Sequence, residues 1–123
     1  MPIEVTRQRF EELVSEALDT IPDELADYME NVAVVVQDWP TAAQQAPHSG
    51  ILLGLYEGVS LTRRGPMSYS AVMPDRITIF QGPHSRITGS EDDLRHRIAT
   101  TVIHEVGHHF GISDERLREL GWG

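Results

Sequence analysis

Two histidines and a glutamate lie within five residues near the end of the chain, in the segment His104-Glu105-Val106-Gly107-His108. On a helix, the histidines at i and i+4 fall on one face about a turn apart, so both imidazoles can reach a single ion. Glu105 projects about 100° around the helix axis from His104, where it can reach a metal-bound water without ligating the metal. The spacing therefore predicts two zinc ligands, His104 and His108, and a general base, Glu105.

A third ligand is predicted just beyond this segment. Gly111 follows His108 by three residues, and Asp114 follows Gly111 by three more. Because glycine tolerates a positive φ, the chain can turn sharply at Gly111 and bring Asp114 back to the ion. Three protein ligands leave one position for water, as in catalytic zinc sites. Glu115 is the alternative ligand if the turn is one residue longer. A second interpretation is a buried helix whose histidines only find hydrogen bonds.

The extended pattern, His104-Glu-x-x-His108-x-x-Gly111-x-x-Asp114, resembles that of the zincin metallopeptidases. Its glycine-extended form is similar to the metzincin motif with Asp in place of the third His, as in snapalysin-type peptidases. The short chain also resembles small bacterial zincin-like metallopeptidases, in which segments similar to residues 53–58 and 74–79 precede the zinc helix. The resemblance implies a zincin-like fold and zinc held by His104, His108 and Asp114. It also implies that Glu105 is the base.

One feature departs from the metzincin pattern. Metzincins carry a methionine turn after the third ligand, whereas all four methionines of this chain precede the motif. The leading hypothesis is a zinc-dependent peptidase in which Glu105 activates the zinc-bound water. The departure motivates an alternative, a metal-binding module with little or no hydrolytic activity that acts through a partner.

The motif lies on the strongest helix signal in the chain. Ser90 is a good N-cap, Asp93 makes a variant of the capping box, and Gly111 is expected to end the helix after Phe110. At Gly107 we expect the close approach of another backbone or of substrate. Five apolar side chains point away from the histidines and should face a sheet. They are Ala99, Val102, Ile103, Val106 and Phe110.

The rest of the chain alternates short helical and strand patterns. A helix capped by Thr6 has its apolar face over Phe10 to Leu18, and Ile21-Pro22 should break it. The other predicted elements are a short helix over 23–31, strands over 32–36, 51–56, 68–73 and 77–80, and a short helix over 113–120. Segments 40–50, 58–66 and 81–89 are expected to be loops or turns. This order indicates a single zincin-like α+β domain over residues 1–123, with a small mixed sheet packed by helices and a C-terminal zinc-binding helix.

Composition limits the chemistry and the partners. The 123 residues contain no cysteine, and all ten basic residues are arginine, so thiol and lysine nucleophiles are excluded. The net charge of −9 argues against a nucleic-acid partner, which would require a basic surface. No apolar run reaches the roughly 18 residues of a membrane span. We therefore expect a cytoplasmic protein with a peptide or protein substrate, no nucleic-acid or membrane partner, and Zn²⁺ as cofactor. The oligomeric state is left open.

Several other residues have weaker claims to a role in the site. His109 is expected to pack or to support a ligand, because it points about 100° away from His108. His84 is expected to be an exposed loop residue, with an oxyanion donor as the alternative. Tyr56 and Tyr69 are also candidate oxyanion donors, although packing in strands is the commoner role of such tyrosines.

Overall fold

The computed structural model describes residues 2–58 and 74–122. Three sequence predictions lie wholly or mostly outside the described residues: the strand over 68–73, the turn over 58–66 and the role of Tyr69. The helices are α1 (Arg7–Leu18), α2 (Asp23–Ala26), α3 (Ala42–Gln45), α4 (Gln81–Ile87), α5 (Glu91–Phe110) and α6 (Asp114–Glu119), and a 3-10 turn over Asp27–Met29 follows α2. The strands are β1 (Val32–Gln37), β2 (Gly54–Glu57) and β3 (Asp75–Phe80).

The described strands form one mixed sheet in the order β1-β3-β2. Strand β1 runs parallel to β3, whereas β2 runs antiparallel to it. The middle strand is buried from Ile77 to Phe80. The predicted strand over 32–36 is confirmed, and the one over 77–80 begins two residues earlier. Strand β2 starts at Gly54 rather than at Ile51.

Helices α1 and α5 pack against each other, and α5 also packs against the sheet. The apolar face of α1 is buried as its periodicity predicts, and the Thr6 side chain caps the helix by accepting from the Arg9 amide. Four of the five apolar residues expected to face the sheet from α5 are buried. Phe110 is the exception: it is 40% exposed at the end of the helix and contacts Tyr28. The small mixed sheet packed by helices is therefore confirmed.

Two segments expected to be loops contain helices. Residues 40–50 include α3, which begins at a full capping box between Thr41 and Gln44. Residues 81–89 include α4, even though Gly82-Pro83 suggested a turn. Proline is tolerated there because the first-turn amides of a helix have no partner within the helix.

The helix that carries the motif has the predicted ends. The Ser90 hydroxyl accepts from the Asp93 amide, and the Asp93 carboxylate accepts from the amide of Gly89, one residue before the cap. Gly111 ends α5 in the left-handed conformation with φ of 74°. None of the helices in the described ranges is long and apolar enough to cross a membrane.

Candidate metal centre and active site

The site lies where β2 crosses α5, and a glycine sets the distance between them. A Cβ on Gly54 would lie 2.6 Å from Cγ2 of Thr101 and 3.2 Å from the carbonyl oxygen of Thr78. Only a residue without a side chain lets the strand approach the helix so closely. Beside this contact is a cavity of about 280 Å³. Its walls are Ile51, Leu52, Leu53 and Gly54 on one side and Arg97, Thr100, Thr101, His104, Glu105 and His108 on the other.

The structure brings together the three residues of the core motif. His104, Glu105 and His108 all line this cavity, and the ring centroids of the two histidines are 6.3 Å apart. A tetrahedral zinc about 2.0–2.1 Å from each ligating nitrogen requires centroids about 5 Å apart, so the rings need to approach by about 1 Å. Two imidazoles with a carboxylate are a ligand set that suits zinc. The histidine pair fits the predicted metal in its chemistry, and in its spacing once the rings have approached by that distance.

His104 has a backbone partner from the end of the chain. Its Nε2 lies 3.0 Å from the carbonyl oxygen of Trp122. A carbonyl oxygen only accepts, so Nε2 carries the proton and donates. The indole of Trp122 stacks on His96, with centroids 5.6 Å apart and planes at 18°. Nothing in the sequence indicates this contact between Trp122 and the predicted ligand His104.

Asp114 is not assembled with the histidine pair. It is the first residue of α6 and is exposed to solvent, following the N-cap Ser113. Among residues 2–58 and 74–122, no three His, Cys, Asp or Glu side chains form a group that could hold a metal. The turn at Gly111 forms as expected, but its geometry alone does not deliver the carboxylate. Asp114 as third ligand stays a prediction.

A side chain of α6 makes the close approach expected at Gly107. A Cβ added to Gly107 would lie 3.1 Å from Cδ1 of Leu117, its nearest neighbour. Leu117 is buried, so it anchors α6 on the helix that carries the histidines. The neighbour is therefore neither a backbone nor a group of the cavity, which lies on another side of α5.

Glu105 is held by the backbone of β2. Its Oε1 accepts from the Tyr56 amide at 3.1 Å. The Phe80 amide donates to the Leu53 carbonyl, so the backbone of Leu53 faces β3. In an antiparallel pair the backbone groups of successive residues point alternately toward and away from the neighbouring strand. Those of Leu55 and Glu57 therefore face β3, and those of Tyr56 point outward. The carboxylate of the predicted base therefore lies at the outer edge of β2.

The side chain of Tyr56 also holds β2 in place. Its hydroxyl donates to Oδ2 of Asp75 at 2.6 Å, and its ring stacks on His109 with centroids 3.9 Å apart. Burial, followed by the bond to Asp75, raises the pKa of Tyr56. The hydroxyl is engaged away from the cavity, so packing rather than oxyanion binding is the role that the structure gives Tyr56. The predicted packing role of His109 is confirmed.

His84 was expected in an exposed loop, and that prediction is wrong. The side chain is fully buried in α4. Nδ1 donates to the Phe80 carbonyl at 3.0 Å, which leaves Nε2 as the acceptor facing the Thr101 hydroxyl at 3.0 Å. Burial lowers the pKa of His84 to about 4. A neutral His84 thus supports α5 one turn before the motif.

Comparison with known proteins agrees with this architecture. A family model described as zincin-like metallopeptidase matches residues 29–122, and the chain therefore belongs to the zincin-like metallopeptidase family. A solved structure, a conserved hypothetical protein from Thermo thermophilus, is similar with a TM-score of 0.53 and 23% identity. The similarity covers 86% of this chain and 94% of that one, and at this identity it shows a shared fold alone. No curated protein matches the chain.

Proposed function

We propose that the protein is a zinc-dependent peptidase with Glu105 as its general base. One observation carries the proposal: His104, Glu105 and His108 line a single cavity whose opposite wall is the start of β2. Bound zinc, held by the two histidines and the predicted ligand Asp114, would polarise the scissile carbonyl and acidify water.

Glu105 performs the proton transfers. It takes a proton from the attacking water and delivers it to the departing amine. The Tyr56 amide holds one carboxylate oxygen, so the side chain is directed from both the helix and the strand. A base held in this way needs little reorientation when substrate arrives.

The substrate we propose is an extended peptide segment. The backbone groups of Gly54 and the Tyr56 carbonyl point outward from β2 beside the catalytic side chains, while the Tyr56 amide stays on Glu105. An extended peptide can add to such an edge through main-chain hydrogen bonds. Ile51 and Leu53 offer apolar contacts on the same wall of the cavity. For its location we propose the cytoplasm, with which the absence of cysteine is compatible.

The substitution Glu105→Gln separates the base from the metal site. Zinc content by elemental analysis should stay at one ion per chain, while hydrolysis of a mixed fluorogenic peptide library should fall at least 100-fold, because a general base contributes 10²–10⁴ in rate. Glu119→Gln makes the same change at an exposed residue of α6 and should leave both measurements unchanged.

Two results would contradict this mechanism. Full turnover by Glu105→Gln would show that Glu105 is not the base. One zinc per chain in a wild-type protein that hydrolyses no peptide of the library would favour the metal-binding module.

A further inference from the structure

The end of the chain folds back along α5 and contacts it at two points. Gly121 turns the chain with φ of 91°, and the Trp122 amide donates to the Leu117 carbonyl at 2.8 Å. The indole then stacks on His96, and the Trp122 carbonyl accepts from Nε2 of His104. The two histidines are eight residues apart, about two helical turns. We call residues 121–122 the tail.

The tail contact and zinc coordination make opposite demands on one atom. A nitrogen that ligates zinc must present its lone pair, whereas Nε2 of His104 carries a proton to donate to the carbonyl. The two partners also need the same space. Along a straight hydrogen bond, zinc about 2.0–2.1 Å from the nitrogen would lie only about 1 Å from an oxygen that is now 3.0 Å away.

We propose that the tail is a built-in competitor for the metal site, so that zinc binds His104 only after the Trp122 carbonyl has left it. This inference rests on the proposed zinc site and adds a conformational step to it. The free energy that holds the tail on α5 makes zinc binding weaker by the same amount, because only molecules with an undocked tail bind the metal.

Loosening the tail should therefore tighten zinc binding. Zinc affinity is measured by chelator competition in three proteins: the wild type, a variant ending at Leu120, and His96→Ala. The shortened chain should bind zinc about fivefold to thirtyfold more tightly, the combined worth of one hydrogen bond and one ring stack. His96→Ala removes only the stack, leaves all tail residues in place, and should give a smaller gain of about threefold.

Fluorescence reports the movement itself. The substitution Trp39→Phe leaves Trp122 as the only tryptophan, and its emission should change as zinc is added. The same titration on Trp39→Phe combined with His104→Ala should show no such change.

The outcomes are distinct. Weaker zinc binding by the shortened chain and by His96→Ala would overturn the inference, because the carbonyl would then support a histidine that ligates through Nδ1. Equal affinity in all three proteins with unchanged Trp122 emission would also overturn it, while leaving the proposed zinc site intact. Failure of all three proteins, the wild type included, to bind zinc would refute both the inference and the proposed zinc site.

Discussion

His84 should make the protein lose stability on mild acidification. Its pKa is about 4 in the folded state, because burial disfavours the charged ring, against an ordinary value of about 6.5. Below pH 6.5 the unfolded chain takes up a proton at this residue, while the folded protein does not until pH 4. Stability therefore falls as the pH falls through this window, and the loss is complete below pH 4.

The size of the effect follows from the two pKa values. Each tenfold difference in proton affinity is worth about 1.4 kcal/mol, so the full loss is about 3 kcal/mol. From the difference in proton uptake between the unfolded and folded states, about 2 kcal/mol of this loss in the free energy of unfolding occurs between pH 7 and pH 5. Other groups titrate as well, among them Glu91, whose carboxylate has a lowered pKa because it bonds Arg9. Their contribution must be cancelled by comparison with a variant.

His84→Asn supplies that comparison. An asparagine amide can donate to the Phe80 carbonyl as Nδ1 does, and the Thr101 hydroxyl can donate to the Arg97 carbonyl instead. Urea unfolding, followed by circular dichroism in a chelating buffer, gives the free energy of unfolding at pH 5 and pH 7. The variant should lose about 2 kcal/mol less than wild type over this interval. His48→Asn removes an exposed histidine and is the control.

Parallel pH dependences in wild type and His84→Asn would refute the reasoning. If the variant does not fold, the imidazole proton resonances of His84 in the wild type decide the matter. They should not shift between pH 8 and pH 5, and a midpoint near 6.5 would show that the ring is not held neutral.

Two further predictions concern the contact between β2 and α5 and the third zinc ligand. Gly54→Ala should destabilise the protein by about 1–3 kcal/mol in urea unfolding, because the new methyl overlaps Thr101 Cγ2. Adding Thr101→Ser removes that carbon and should recover much of the lost stability. An equal loss with Thr101 and with Ser at this position would locate the strain elsewhere. Asp114→Ala should weaken zinc binding at least 10–100-fold in chelator competition, and Glu115→Ala should change it little; the reverse pattern would transfer the third ligand to Glu115.

The parts of the fold that could be predicted are those specified by residues close together in the sequence. The motif helix follows from Ser90, from Gly111 and from apolar side chains at helical spacing, all readable within 22 residues. The i, i+4 relation alone places His104 and His108 on the same cavity. The short helix α3 is also local, but its Thr41 and Gln44 capping box lies among prolines and a glycine that favoured a loop.

The contacts that could not be predicted join residues far apart and involve backbone atoms. The Tyr56 amide meets Glu105 across 49 positions, and no residue type is required to supply an amide. The Trp122 carbonyl is equally without a sequence signature. Phe110 fits the apolar periodicity but lies at the helix end, where it is 40% exposed and its ring meets Tyr28 and Tyr56. His84 was misplaced because its partner Thr101 is distant in sequence.

The contact between the Tyr56 amide and Glu105 divides the site between two structural units. His104 and His108 belong to a twenty-residue helix that packs along α1, whereas the orientation of Glu105 depends on a four-residue strand at the edge of the described sheet. Proteins open locally as well as globally, and short edge elements tend to open at lower free energy than central helices. Transient detachment of β2 would then release Glu105, the proposed base, while both histidines kept their spacing. Partial unfolding of this kind would leave metal binding intact while ending the proposed hydrolysis. A zinc assay alone would then overstate the fraction of molecules able to carry out that reaction.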